Sequence, residues 1–509
     1  MWFVLISVAI VAITLLIRRH FTYWERQGIP SDKPVIPFGS LKDTVFGIKD
    51  VGSAIHDLHE RYKKPFVGIY LLFKPTLLIT DLELARQVLI QNFVSFHDRG
   101  IDSTVSPDLF SMRGASWKNL RSKLTPLFSS GKLKAMLPTI NDVAAKLLNH
   151  LDEQLVFKSV VEVEMKDMMF TYSLDVIGSV FFGMDVDSFK NPKNEYRTVI
   201  GEVLSPSAWL DRIKSVSFFV CPPLSTFMEY CGYTPNGVLE IREIIKRVVN
   251  LREHKNVVRR DFIQLLLQLR NSNKITDDDN WSLEKASEDA KSMSIEMIGD
   301  QCSLFSIAGT ETTAVTAAHT LYELSMYPEL LTEAVAEVDS VLSRHGLEPS
   351  DPLTYEAIQD MKFLELCTME SLRKYPGLPF VNRECTQDFE IPNSGYTIKK
   401  GTAIMISLLG MHHDPEHFPN PQKYDPYRFT EESETGYNTN AYMPFGEGPH
   451  NCIAKRMGQL SAKIAIVKVL ANFNVQPNEL KRVEFDSSNN GVTPVVKGGV
   501  RLKLSKRIL

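Results

Sequence analysis

The chain reads as a mainly α-helical protein with a small β-rich region, preceded by an N-terminal membrane anchor. Three observations predict this. Trp2 to Ile17 is apolar and uncharged, apolar residues recur at helical spacing through Pro138–Arg270 and Met293–Met326, and strand signals are confined to a few short stretches. With 509 residues, 44% hydrophobic and 23% charged, the chain can bury a large core. Length alone would predict about three domains. No repeat or low-complexity linker divides it, however, so the expected organisation is an anchor over 1–20, a Pro-rich hinge over 21–40 and one domain over 41–509. A net charge of −4 lacks the basic excess of a nucleic-acid-binding protein. The six cysteines are scattered without a C-x-x-C pair, which fits a reducing compartment.

The apolar run is at the short end of the roughly 17–25 residues that span a bilayer. Arg18, Arg19 and Arg26 follow it, and no small-residue cleavage site does, so it reads as an uncleaved anchor with the body on the cytosolic side. The prolines at 30, 34 and 37 predict a stiff, extended lead-in. Phe66–Phe73 and Thr76–Thr80 predict a hairpin turning at Lys74-Pro75, and Arg99–Gly114 a loop. In Trp117-Lys118-Asn119-Leu120-Arg121 the indole and the guanidinium share a helix face, and both can donate to one carboxylate. A packed Trp beside a surface Arg fits the same residues.

The middle is helical with breaks at Asn191-Pro192, Ser205-Pro206 and Cys221-Pro222-Pro223. There Phe218, Phe219, Phe227 and Tyr230 read as a roof over an apolar pocket, a membrane-touching patch or plain core. Asn271–Asn280 reads as a polar surface loop. The long helix carries Ala308-Gly309-Thr310-Glu311-Thr312-Thr313, a weak turn where a hydroxyl and a carboxylate could supply protons beside a bound group. Glu370 and Arg373 stand one turn apart, and Pro426-Tyr427-Arg428-Phe429 brings a second arginine for a charge-assisted lock. Phe389–Ile391 and Tyr396–Ile398 predict a second hairpin, and Asn489-Asn490-Gly491 a third turn.

Near the end stands Phe445-Gly446-Glu447-Gly448-Pro449-His450-Asn451-Cys452-Ile453-Ala454, followed by a helical run to Leu470. Glycines permit close backbone approach, and amides at a helix start stabilise a negative sulfur. Such a thiolate suits an axial position of haem iron. A buried cysteine acting as a small hydrophobe is the other reading.

This loop resembles the haem-binding signature of the cytochrome P450 family, with Phe445, Gly448 and Cys452 matching. His450 stands where that family usually has Arg, and Ala454 where it usually has Gly. The order of the remaining motifs extends the resemblance over essentially the whole chain, and the sequence is most similar to microsomal insect members that metabolise foreign compounds. The resemblance implies the cytochrome P450 fold and a haem b cofactor (iron protoporphyrin IX) with Cys452 as the metal ligand. Trp117, Arg121, Ala308, Gly309, Arg383, Phe445 and His450 would then surround the cofactor. Thr312 would be the proton-relay alcohol, Glu311 its acid, and Glu370, Arg373 and Arg428 the structural lock. The implied activity is a monooxygenase of the endoplasmic reticulum membrane. Electrons would come from NADPH through NADPH-cytochrome P450 reductase, with cytochrome b5 as a second donor. Lys118, Lys123, Lys455 and Arg456 are the expected basic contacts.

Imidazole is shorter than guanidinium and largely neutral, so His450 should loosen one anchor by about 1 kcal/mol, the scale of one hydrogen bond. Ala454 adds one methyl, tolerable after a small helix shift. Two other readings stand beside the monooxygenase. One is a haem-thiolate isomerase or dehydratase, against which the Glu311–Thr312 pair argues. The other is a haem- or lipophile-binding protein without turnover. Pocket positions are expected in Ile101–Phe110, the middle aromatics, Phe305, Ile307 and Gly377–Val381, all apolar enough for many lipophilic compounds.

Overall fold

The computed structural model describes residues 1–508 apart from 102, 104, 206–207, 234–236, 256, 273–280, 282–292, 431–435 and 481–495. The apolar run forms a 20-residue helix, Trp2–Phe21, exposed along its length until Phe21, which is buried in the core. Among the described residues it alone is long and apolar enough to cross a membrane. The lead-in that follows is fastened rather than free. Trp24 is buried on Gly68, where a Cβ would come within 2.3 Å of the indole, and its Nε1 donates to the Ile69 carbonyl at 3.0 Å. Asp32 N donates to the Gly68 carbonyl at 2.9 Å.

Nine strands are described. β1 (Phe66–Leu71), β2 (Lys74–Ile79), β4 (Phe380–Glu384) and β7 (Ala403–Ser407) form one sheet in the order β1-β2-β7-β4. β3 (Val161–Glu164), β8 (Phe473–Pro477) and β9 (Arg501–Lys506) form a second, ordered β3-β9-β8. β5 (Phe389–Glu390) pairs with β6 (Thr397–Ile398) around the expected turn. The first hairpin turns two residues earlier than predicted, at Leu72-Phe73. Leu72 takes φ 58° at the turn, and Pro75 lies inside β2 opposite Tyr70. Proline is tolerated there because pairing with β7 begins only at Thr76. The Asn489-Asn490-Gly491 turn and most of the 271–280 loop lie outside the described residues.

The helical core is built around Ile295–Met326, which begins two residues after Met293 because the Ser294 side chain caps it by accepting from Met297 N. Buried residues occupy nearly every side of this central helix, as expected for a helix enclosed by others. It packs on Met165–Val176, Val238–Lys255, Lys362–Lys374 and Lys455–Asn472. Its hydroxyls bond one turn back: Thr310 to Ser306, Thr312 to Ala308 and Thr316 to Thr312, at 2.7, 2.7 and 2.9 Å.

Candidate active site

A cavity of about 280 Å³, mostly apolar, opens between the central helix and the cysteine loop. Ala308, Gly309, Thr312, Phe305, Arg99, Arg121, Arg383, Phe445, His450 and Cys452 all contribute to its walls. Gly309 is held small from outside: a Cβ there would lie 2.7 Å from Ile177 Cδ1. Leu109, Phe110, Gly377, Leu378 and Val381 complete the apolar lining expected from the sequence, whereas Ile307 is not part of it.

The cysteine loop is pinned at both ends. Cys452 N donates to the Phe445 carbonyl at 2.9 Å. Gly448 takes φ +72° against Leu89, where a Cβ would meet the Leu89 carbonyl oxygen at 2.0 Å. The helix after the loop starts at Lys455 and runs to Asn472, two residues later than predicted, so Cys452 precedes it. The Ala454 amide still donates to the sulfur, and Arg121 and Lys455 favour its anion, while burial pushes the thiol above its usual value. Coordination to a metal ion would deprotonate it.

The lock forms as expected. Glu370 receives Arg373 Nε at 2.8 Å and Arg428 Nε at 3.1 Å, with all three side chains essentially inaccessible. Arg373 also donates to the His412 carbonyl at 2.8 Å, and Met443 N donates to His412 Nε2 at 3.0 Å. The lock therefore reaches the cysteine loop through one histidine.

Three guanidinium groups meet at the cavity. Arg121 donates to Asn451 Oδ1 at 2.9 Å, Arg383 to the Asn382 carbonyl at 2.7 Å, and Arg99 to the Phe110 and His450 carbonyls at 3.2 and 3.3 Å. Among the described residues none of the three has a carboxylate within ion-pair distance. Burial, together with Arg383 and Arg121, pushes Arg99 down to about 9, and burial pushes Arg383 down to about 10. Arg383 Nε and Trp117 Nε1 are buried donors with no partner among the described residues. This donor set fits the two carboxylates of a haem, with Cys452 as the available sulfur ligand.

Two residues depart from expectation. His450 Nε2 donates to the His97 carbonyl at 2.6 Å, and its ring lies 3.9 Å from that of Trp117. Burial and the surrounding arginines push it down to about 2. The neutral ring spends its one N–H on His97, so Nδ1 is an acceptor and does not attract a carboxylate. Glu311 does not reach the cavity. It pairs with Lys166 Nζ at 2.6 Å on the Met165–Val176 helix, because at i+3 from Ala308 it falls on the flank facing that helix. The sequence reading missed Arg99 and Lys166. An isolated Arg in a polar loop looks solvated, and only its enclosure beside two other arginines marks it.

These residues would fit a cysteine-ligated haem between two core helices of a mainly helical fold. The family model described as Cytochrome P450 matches residues 30–500. The chain is 48% identical to probable cytochrome P450 6d2 of Drosophila melanogaster, covering all of both chains. It is 50% identical to cytochrome P450 6d1 of Musca domestica over 96% of each, and 35% identical to cytochrome P450 6k1 of Blattella germanica over 99% of this chain and 96% of that one. The chain belongs to the cytochrome P450 family and is a P450 monooxygenase.

Proposed function

We propose that this monooxygenase oxidises small lipophilic compounds at the cytosolic face of the endoplasmic reticulum. Its substrates are xenobiotics such as insecticides and plant toxins, or endogenous lipids and hormones. Electrons come from NADPH through NADPH-cytochrome P450 reductase, with cytochrome b5 as a second donor. The observation that carries this reading is that Cys452, the turn at Ala308–Thr312 and three arginines without counterions among the described residues share one apolar cavity. Haem b, held by Cys452, would supply the activation of dioxygen, with one oxygen atom inserted and the other released as water.

The residues then have separate tasks. Arg99, Arg121, Arg383 and Trp117 orient the cofactor's carboxylates, and His450 packs behind them without donating. Thr312 holds its hydroxyl proton on the Ala308 carbonyl at 2.7 Å and can release it toward the cavity. Glu311 can join that supply only after leaving Lys166. Phe305, Val381 and Leu109 keep water from the reacting centre. The basic residues Lys118, Lys123, Lys455 and Arg456 are the contacts proposed for an acidic reductase surface. Reductase- and substrate-dependent NADPH consumption with oxygenated product tests the reading. Rearrangement of a peroxide substrate without NADPH or dioxygen would instead mean isomerase or dehydratase chemistry, and haem without turnover a binding protein.

A further inference from the structure

The loop that carries Leu109 and Phe110 into the cavity is fastened from behind by groups that never reach the cavity. Asp300 on the central helix accepts from Ser106 Oγ at 2.9 Å and from Arg242 Nε at 3.0 Å, with a second, closer contact from Arg242 Nη2. The same guanidinium donates to the Val105 carbonyl at 2.7 Å. Next along the helix, Gln301 Oε1 accepts from Leu109 N at 2.9 Å. Asp300 and Gln301 are buried. Gly299 makes the crossing possible, since a Cβ there would lie 2.8 Å from Arg242 Cγ. On the far side of the loop, Arg99 lies 4.5 Å over the Phe110 ring, and the Phe218 and Phe219 rings stand 6.4 and 6.0 Å from it.

We propose that the Arg242–Asp300–Ser106 clamp positions Leu109 and Phe110 and thereby sets the size of molecule the cavity accepts. Apolar walls discriminate poorly by composition, so the placement of two large side chains is the main lever on size. A buried carboxylate holding one loop hydroxyl and one arginine that itself grips the loop backbone gives that placement a single point of failure. Asp300, Arg242 and Ser106 are positioning residues, since none of them touches the bound molecule.

This inference rests on the monooxygenase reading for its optical probe and its kinetic readout, but not for the exchange measurement. Full-length protein in membranes is compared with Asp300→Asn and, in case that variant folds poorly, Ser106→Ala, which leaves the ion pair intact. Two measurements are made: amide exchange across 105–112, and the dissociation constants of 4-phenylimidazole and a bulkier biphenylyl-imidazole. Losing a charge-assisted bond should speed exchange at the Leu109 amide about tenfold in Asp300→Asn and about threefold in Ser106→Ala. The ratio of the two ligand constants should move at least about fivefold in Asp300→Asn, on the same scale. The KM of a bulky substrate should move with that ratio while kcat holds. Wild-type exchange and an unchanged ratio would overturn the proposal, as would equal weakening toward both ligands. Absence of a thiolate-type carbon monoxide band in all three proteins would instead count against the monooxygenase reading, while exchange still reports on the clamp.

Discussion

Arg99, Arg121 and Arg383 face one another across a cavity without a counterion among the described residues, a costly arrangement that an anionic ligand would relieve. Arg99→Met should therefore weaken haem retention by about 1.5–3 kcal/mol, the range for a charge-assisted bond, and the haem-to-protein ratio after gel filtration checks it. His450→Arg should act oppositely and raise occupancy, since a guanidinium would add a donor where a neutral ring offers only an acceptor. An unchanged ratio in that variant would count against the assignment. Thr312→Val should cut product formed per NADPH by about tenfold or more, as expected for a lost proton donor, while ligand binding holds. Cys452 and Thr312 were legible in the sequence because their neighbours form long, ordered motifs. Glu311 was legible only as a residue type: its ion pair depends on Lys166, a long way off in sequence, and no local pattern announces that.

At the scale of elements, the lock and the cysteine loop act together through His412. Burial pushes that ring down to about 3 from its ordinary 6.5, and its Nε2 must stay unprotonated to accept from Met443 N. The unfolded chain takes up the proton first, so this group's contribution is present above about pH 6.5 and is lost as pH falls toward 3. Lowering pH from 7 to 5 should remove about 2 kcal/mol through this residue alone, seen as a lower melting temperature, and His412→Gln should flatten the pH dependence. Glu370→Ala leaves two buried guanidinium groups unpaired and should destabilise by about 3–5 kcal/mol, which yield and thermal unfolding would report. Short motifs foretold the lock, because an acid and a base one turn apart on a helix already face each other before Arg428 arrives from a distant part of the chain. Strand ends were less legible. The first hairpin turns at Leu72 because β2 is unpaired toward β7 until Thr76, a tertiary fact that the Lys74-Pro75 dipeptide cannot reveal.

For the whole molecule, the N-terminal apolar helix and the body should be separable at a definable point. Removing residues 1–20 should release the protein from membranes with its fold intact. Removing residues 1–32 should destabilise it by about 2–4 kcal/mol, because Trp24 fills the face of Gly68 and bonds Ile69. Sedimentation and thermal unfolding of the two truncations separate these outcomes. The sequence predicted a hinge over 21–40. Prolines mark where helices stop, but only the indole's burial shows that the segment is packed on the sheet.

The central claim is that Cys452 sulfur holds a haem in this cavity, and the carbon monoxide difference spectrum of the reduced, membrane-expressed protein tests it most directly. The account predicts a thiolate-type Soret band that is lost in Cys452→Ser. An imidazole-type band, or folded protein without any haem signal, would contradict it.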